Sequence, residues 1–323
     1  MSRFCVRIGG LDRRAFIGST VKAGAALMLG GMASRAVAGE ATRPLKLGNI
    51  AIVNFAAVYR FKAISKNYGF DVEFVNFPSG TERLNALAAG YIDASPTGST
   101  QPILLRSKGV PIKIVCDVVR KGKGLMVGST VRSFADLRGK DIGNVRGSTT
   151  DIWVRQKLID EGLNPDRDVN LVNMDYLQMA TAVLAGRVAG ASGAEPQIAA
   201  FEAKGGRVLS YLTDTKLGDI DAVMCFLDGF IKKDRGLAKA IVAGMAKASQ
   251  DLQRDPELVP EMMADIVKVD KDVIRRSLKN LTFSVKPDQS ALTNLAGILK
   301  DMNMIERVPA LDEYLDMSLV NEV

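Results

Sequence analysis

Along most of the chain, short apolar runs rich in β-branched residues alternate with segments whose apolar positions recur every three or four residues. Residues 45–52 read as a strand, 56–67 as a helix, 72–77 as a strand, 81–89 as a helix and 91–94 as a strand; a helix follows Thr100 and a strand covers 112–119. A second set of the same kind follows. Strands are predicted at 140–145, 169–174, near Ala191 and at 208–212, with helices over 150–161, 177–185 and 196–204 between them. Repeated strand, helix, strand units predict an α/β fold with mostly parallel sheets and helices on both faces. The polar, glycine-rich stretch 120–124 reads as a linker, and 213–219 as another. Beyond the strand at 222–227 the chain turns helical, and Ala238, Ile241, Val242, Met245, Ala248 and Leu252 lie on one face of the first helix there.

A weak internal echo supports two similar halves. Residues 86–92 (Ala-Leu-Ala-Ala-Gly-Tyr-Ile) and 182–188 (Ala-Val-Leu-Ala-Gly-Arg-Val) both run helix, glycine, strand, and each leads to a polar turn and a proline, Pro102 or Pro196. Two α/β lobes joined by crossing strands are the simplest architecture for this pattern. The expected division is 39–119 with 220–323 as one lobe and 120–219 as the other.

The first 38 residues stand apart. Arg13 and Arg14 precede Ala15-Phe16-Ile17, an apolar run of small residues extends from Val21 to Met32, and Ala36-Val37-Ala38 closes the segment. A charged start, a short apolar stretch and an Ala-x-Ala end predict a cleaved export signal, and the arginine pair with Phe16 resembles the twin-arginine type. The expected location of the mature protein is the periplasm. This segment also decides the meaning of the net charge of +7: it holds six basic side chains against Asp12 alone, so the remaining chain carries only +2. Nucleic-acid binding by bulk charge therefore has no support.

Histidine is absent, which removes Ser-His-Asp and Cys-His catalysis and imidazole metal sites. No catalytic residue, metal or cofactor is expected, and the protein is read as a binding protein and a monomer. Cys116 and Cys225 lie in strand-like apolar runs and are expected as buried thiols, with a disulfide as the alternative.

Candidate chemistry sits where strands hand over to helices. Gly98-Ser99-Thr100 and Gly147-Ser148-Thr149 each follow a strand and open a helix, and Ser79-Gly80-Thr81-Glu82 has the spacing of a capping box, as do Ser148 and Asp151. Free backbone N–H groups at such junctions form anion sites without a cationic side chain. Their recurrence in two halves, at the edge where open α/β sheets bind ligands, predicts a cleft for a small oxyanion built from neutral donors.

The same residues carry a family resemblance. Residues 78–81, 86–94 and 133–143, then Gly186-Arg187-Val188 leading to Glu195-Pro196, resemble the nitrate, sulfonate and taurine group of periplasmic substrate-binding proteins for ABC importers. The resemblance implies the type II binding-protein fold, two lobes with ligand between them. It implies an inner-membrane ABC permease as partner and a small organic anion as ligand. Carried over by position, the cleft residues are Ala51, Ile52 and Asn54 after the first strand, Ser79 and Gly80, Thr97, Gly98, Ser99 and Thr100, then Gly147, Ser148, Thr149 and Thr150, and Glu195. Glu195 is read either as a helix-start carboxylate or as a partner for a ligand amine or amide. Trp153, the single tryptophan, is expected to pack on the sheet. Ala189 and Ala194 depart from the group's usual acid and aromatic, which leaves the ligand open between anions and an amine-bearing heterocycle related to the thiamine pyrimidine. A sensor module for a membrane receptor is the alternative to a transporter component.

Overall fold

The structure, a computed structural model, describes residues 44–322 apart from 78, 79, 212 and 214. The leader, with its arginine pair, lies outside the described residues. The first part of the chain runs β1 (Leu45–Asn49), α1 (Ala56–Ile64), β2 (Val72–Asn76), α2 (Gly80–Ala88), β3 (Ser95–Gly98), α3 (Thr100–Ser107), β4 (Ile112–Lys121) and β5 (Lys123–Val127). It continues through β6 (Asp141–Asn144), α4 (Thr149–Asp160), β7 (Asn170–Asn173), α5 (Tyr176–Leu184), β8 (Gly190–Ala194), α6 (Gln197–Ala203), β9 (Arg207–Tyr211) and β10 (Ile220–Leu227). The tail is α7 (Asp228–Lys233), α8 (Arg235–Arg254), α9 (Leu258–Val267), α10 (Lys271–Ser277), β11 (Leu281–Thr282), α11 (Gln289–Asp301) and α12 (Leu311–Tyr314).

Among the described residues three sheets result: the pair β1-β2, a four-stranded sheet ordered β11-β4-β10-β3, and a five-stranded sheet ordered β7-β6-β8-β5-β9. They are mixed rather than mostly parallel. β1-β2, β6-β7 and β6-β8 are parallel, whereas β3-β10, β4-β10, β4-β11, β5-β8 and β5-β9 are antiparallel. The cause is topological. The chain leaves the four-stranded sheet along β4 into β5 and re-enters it from β9 along β10, so strands that pair beside these crossings run in opposite directions.

Residues 120–124 are therefore not a loose linker. β4 runs on through Lys121 and restarts as β5 at Lys123, and the join is a kink in which Lys121 (φ 65°) and Gly122 (φ 77°) are both left-handed. Glycine tolerates that region at no steric cost, while the lysine is held there against its preference. The strand expected at 91–94 is displaced to Ser95–Gly98, leaving only a parallel bridge between Leu47 and Ala94.

The described core fills in three clusters. In the first, α1 and α8 pack on β4 and β10, and the α8 positions picked out by periodicity, Ala238 through Leu252, are all buried. The second joins Leu87 and Ile103 to Ile142, Ile152 and Trp153, and is closed by Leu292, Leu295 and Leu299 of α11. Trp153 is thus packing, as expected. The third lies under α5 and α6 around Met126, Met179 and Phe201. Cys116 and Cys225 are both buried and free. They sit in neighbouring strands but belong to the first and second clusters respectively, and burial raises both thiols well above their usual pKa. Among the described residues no helix is long and apolar enough to cross a membrane.

The kink generates a test. A Cβ at Gly122 would lie 2.5 Å from Leu281 Cδ2, in a backbone conformation that disfavours it. Gly122→Ala is expected to cost about 1–3 kcal/mol, read as a lower urea midpoint; an unchanged midpoint would show that the kink carries no strain.

Candidate functional site

A cavity of about 510 Å³ lies where helix starts and strand ends from both larger sheets converge. Ile52, Asn54, Gly80, Thr97 and Gly98 line it from the first part of the chain, and Gly147, Ser148, Thr149 and Glu195 from the second. Of the other predicted positions, Ser79 lies outside the described residues, while Ser99, Thr100 and Thr150 are fully buried behind the wall and Ala51 is exposed away from it. Thr150 Oγ1 is engaged with the Tyr176 hydroxyl at 2.8 Å. Ser99 has helical backbone and makes no capping bond, so α3 lacks the cap that its Gly-Ser-Thr opening suggested.

The α4 junction is capped, but not as a reciprocal box. Ser148 has extended backbone, and its Oγ accepts from the Asp151 N–H at 3.1 Å. Asp151 does not return a bond to Ser148. Its Oδ2 accepts from the Gly147 N–H (2.8 Å), and its Oδ1 accepts from Asn144 Nδ2 (2.6 Å) and Arg155 Nε (2.9 Å). The positive end of the α4 dipole is thereby met by the chain's own carboxylate, which weakens it as a seat for an external anion. The two helix starts also meet each other: Thr100 Oγ1 and Thr149 Oγ1 are 3.1 Å apart, and Gln101 Nε2 donates to the Gly147 carbonyl at 3.4 Å. Gly98 makes this approach feasible, because a Cβ there would collide with Thr149 Oγ1 and come within 2.7 Å of Gln101 Oε1.

Cationic side chains that the motifs did not include supply the positive charge, so the expectation of neutral donors alone is corrected. Arg83, Lys108, Lys123 and Arg146 all line the cavity. Arg83 is the most constrained. It is 3% exposed, its Nε donates to Ser95 Oγ at 3.0 Å and the Phe55 ring lies 5.4 Å from its guanidinium carbon, yet Nη1 has no hydrogen-bond partner among the described residues. Burial pulls its pKa down to about 10, which still leaves it charged at neutral pH. Lys123, in contrast, is paired: its Nζ lies 3.0 Å from Asp221 Oδ1, and Asp221 Oδ2 accepts from Asn54 Nδ2 at 2.8 Å.

Glu195 is a helix-start carboxylate, and it lines the cavity as well. Its Oε2 accepts from the Ala199 N–H in the first turn of α6 (3.1 Å), and its Oε1 accepts from Asn280 Nδ2 (2.6 Å). Burial pushes its pKa up to about 7 against the lowering effect of those two bonds. Among the described residues no group of three or more His, Cys, Asp or Glu is placed to hold a metal ion.

Known proteins share this fold. Residues 38–267 match the NMT1-like family. The chain belongs to that family. The taurine-binding periplasmic protein of Escherichia coli K12 is 28% identical over 212 residues, which span 64% of this chain and 65% of that one. Among solved structures, the alkanesulfonate-binding protein of Xanthomonas axonopodis pv. citri bound to MOPS superposes with a TM-score of 0.74 at 20% identity, covering 85% of this chain and 98% of that one. The periplasmic nitrate-binding protein of Synechocystis PCC 6803 gives 0.76 at 18%, covering 86% and 87%. This NMT1-like chain therefore has the periplasmic-binding-protein fold that its motifs suggested.

The Glu195 carboxyl sets a pH dependence. Its pKa is higher folded than unfolded, so the folded state binds the extra proton, and the linked stability is present at low pH and lost as pH rises from about 4.5 through about 7. Asp117, buried beside Arg120 and also pushed up to about 7, acts with the same sign. Glu195→Gln should flatten, without abolishing, the decline in unfolding free energy between pH 5 and 8, by on the order of 1–3 kcal/mol. Urea titrations at the two pH values check this, and identical declines in both proteins would contradict it.

Proposed function

We propose that this chain is the periplasmic solute-binding component of an ABC importer and takes a small organic anion, a sulfonate, taurine-like compound or carboxylate, in the cavity between its two larger sheets. The observation that carries the reading is Arg83: a buried guanidinium whose Nη1 is unpaired and which has no acid partner among the described residues, lining a cavity of suitable size. An uncompensated buried charge is costly, and an anionic solute would supply the missing partner through charge-assisted hydrogen bonds. Membership of the NMT1-like family and the likeness to proteins named for taurine, alkanesulfonate and nitrate support the same class of solute. Residues 39–119 with 220–323 and residues 120–219 act as the two lobes of the clamp, with the β4-β5 kink and residues 213–219 as the crossings. Ligand shifts an open form to a closed one. An inner-membrane permease accepts the cargo, and residues 1–38 direct export.

Replacing Arg83 by Met keeps the bulk and removes the charge. Loss of one charge-assisted contact amounts to roughly 1.5–3 kcal/mol, so affinity for the anion should fall about tenfold to a hundredfold. Calorimetric titration with a panel of sulfonates and carboxylates, on protein whose melting confirms folding, measures it. Undiminished affinity would exclude Arg83 as the anion's partner.

A further inference from the structure

We infer that the outward face of α5, with the basic hollow at its C-terminal end, is the surface on which the importer's membrane permease docks, and that the permease meets it with an apolar contact beside carboxylate groups. This deepens the proposed importer reading and rests on it. α5 runs Tyr-Leu-Gln-Met-Ala-Thr-Ala-Val-Leu, and among the described α-helices it alone carries no Asp, Glu, Lys or Arg. Its inward side, Met179, Ala182 and Val183, is buried in the third core cluster. Its outward side is apolar as well: Leu177 is 81% exposed and Leu184 49%, two helical turns apart on one stripe. Single exposed apolar side chains are ordinary. Here two of the five large ones exposed among the described residues share one helix of 9 residues, so a helix apolar on both sides has a cover on only one.

Both ends of α5 point to that partner. Tyr176, its first residue, lines the cavity proposed for the solute, and the next residue, Leu177, is open surface, so the wall gives way to the outward face within one step. A protein that takes over the solute must contact that rim, and at 1.5 Å per residue Leu184 lies only about 12 Å further along. There Leu184 borders a second hollow, of about 580 Å³, which Lys140, Arg187 and Arg207 also line. All three cations are exposed. The side chains of Lys140 and Arg187 have no hydrogen-bond or ion-pair partner among the described residues, and Arg207 Nη2 donates to the Val131 carbonyl. The helix ends do not occupy them, because the Arg187 and Gly206 N–H groups already close the last turns of α5 and α6 onto the Ala182 and Phe201 carbonyls. Asp141, the one acid in this lining, accepts from Asn170 Nδ2 at 2.8 Å. Three cations against one engaged acid fit a partner that brings carboxylates. A hollow takes a protruding acidic loop better than it takes a flat lipid surface, and the same face of a second copy would bring the same cations to the contact.

Photo-crosslinking in cells that make the full-length chain and its importer tests this. A benzophenone-bearing amino acid replaces, one at a time, Leu177, Leu184 and the other exposed large apolar residues, Tyr91, Ile159 and Val308, and mass spectrometry identifies each product. A membrane subunit of the importer should be captured from Leu177 and Leu184 in about tenfold higher yield than from Ile159 and Val308, and the pair Lys140→Glu and Arg187→Glu should cut that yield by about tenfold. The same pair should leave affinity for the sulfonate and carboxylate panel unchanged. Capture of phospholipid or of a second copy from α5, equal capture from all five positions, capture of the permease from other positions but not from α5, or a yield that charge reversal leaves undiminished overturns the inference. Deleting the gene in parallel tests the importer reading separately. Uptake of a labelled sulfonate or carboxylate should be lost, and absent α5 crosslinks then count against the docking face alone; unchanged uptake of every anion in the panel overturns both.

Discussion

The left-handed kink at Lys121–Gly122 is the constraint on which the site depends. It turns β4 out of one sheet and into the other as β5, and the polar wall of the cavity is anchored to it. The Gly122 carbonyl accepts from the Glu195 N–H at 3.0 Å, which fixes the end of β8 against the crossing. One residue on, Lys123 reaches Asp221 on β10, and Asp221 in turn holds Asn54. A chain of three contacts thus ties the turn after β1, the returning strand and the kink into one unit. Breaking a buried pair such as Lys123–Asp221 from one side costs roughly 3–5 kcal/mol, far more than a surface bridge such as Arg275–Glu257 contributes. These contacts tie the polar residues of the wall to the crossing.

Electrostatics in the cavity follows from which charges find partners inside the chain. Lys123 is neutralised by Asp221, and the α4 dipole by Asp151. The hydroxyls of Thr100 and Thr149 are engaged with each other. What remains is the buried Arg83 guanidinium, with the exposed Lys108 and Arg146 also in the lining. The junction motifs bring the two helix starts into contact and shape the cavity, and a side chain from the first half of α2 places a buried positive charge in the same lining.

Features set by local chemistry were legible in the chain. The α8 stripe follows from helical period alone, and the strand-to-helix junctions at Gly98 and Gly147 follow from small residues after an apolar run; both are where the pattern put them. Features set by topology were not. Lys-Gly-Lys-Gly at 121–124 has linker composition, and only pairing makes three of the four strand, Lys121 with β11 and Lys123 and Gly124 with β8 and β9. The antiparallel pairings come from crossings that no local pattern encodes. Lys123 and Asp221 lie far apart in sequence, so their pairing is invisible before folding. Arg83 did leave a trace: it shares the buried face of α2 with Leu84 and Leu87, and an arginine on an apolar stripe is a buried charge in need of an explanation. Such a residue outweighs a further Gly-Ser-Thr motif as a pointer to ligand.

The most direct measurement is the identity of whatever the protein carries. Protein isolated without denaturation from cells that make it, then denatured and its released small molecules resolved by mass spectrometry, should yield one dominant organic anion near one equivalent, and that compound should be strongly depleted from Arg83→Met prepared in parallel. A dominant neutral or cationic compound, or an anion retained undiminished by the variant, would contradict an anion-binding cavity centred on Arg83.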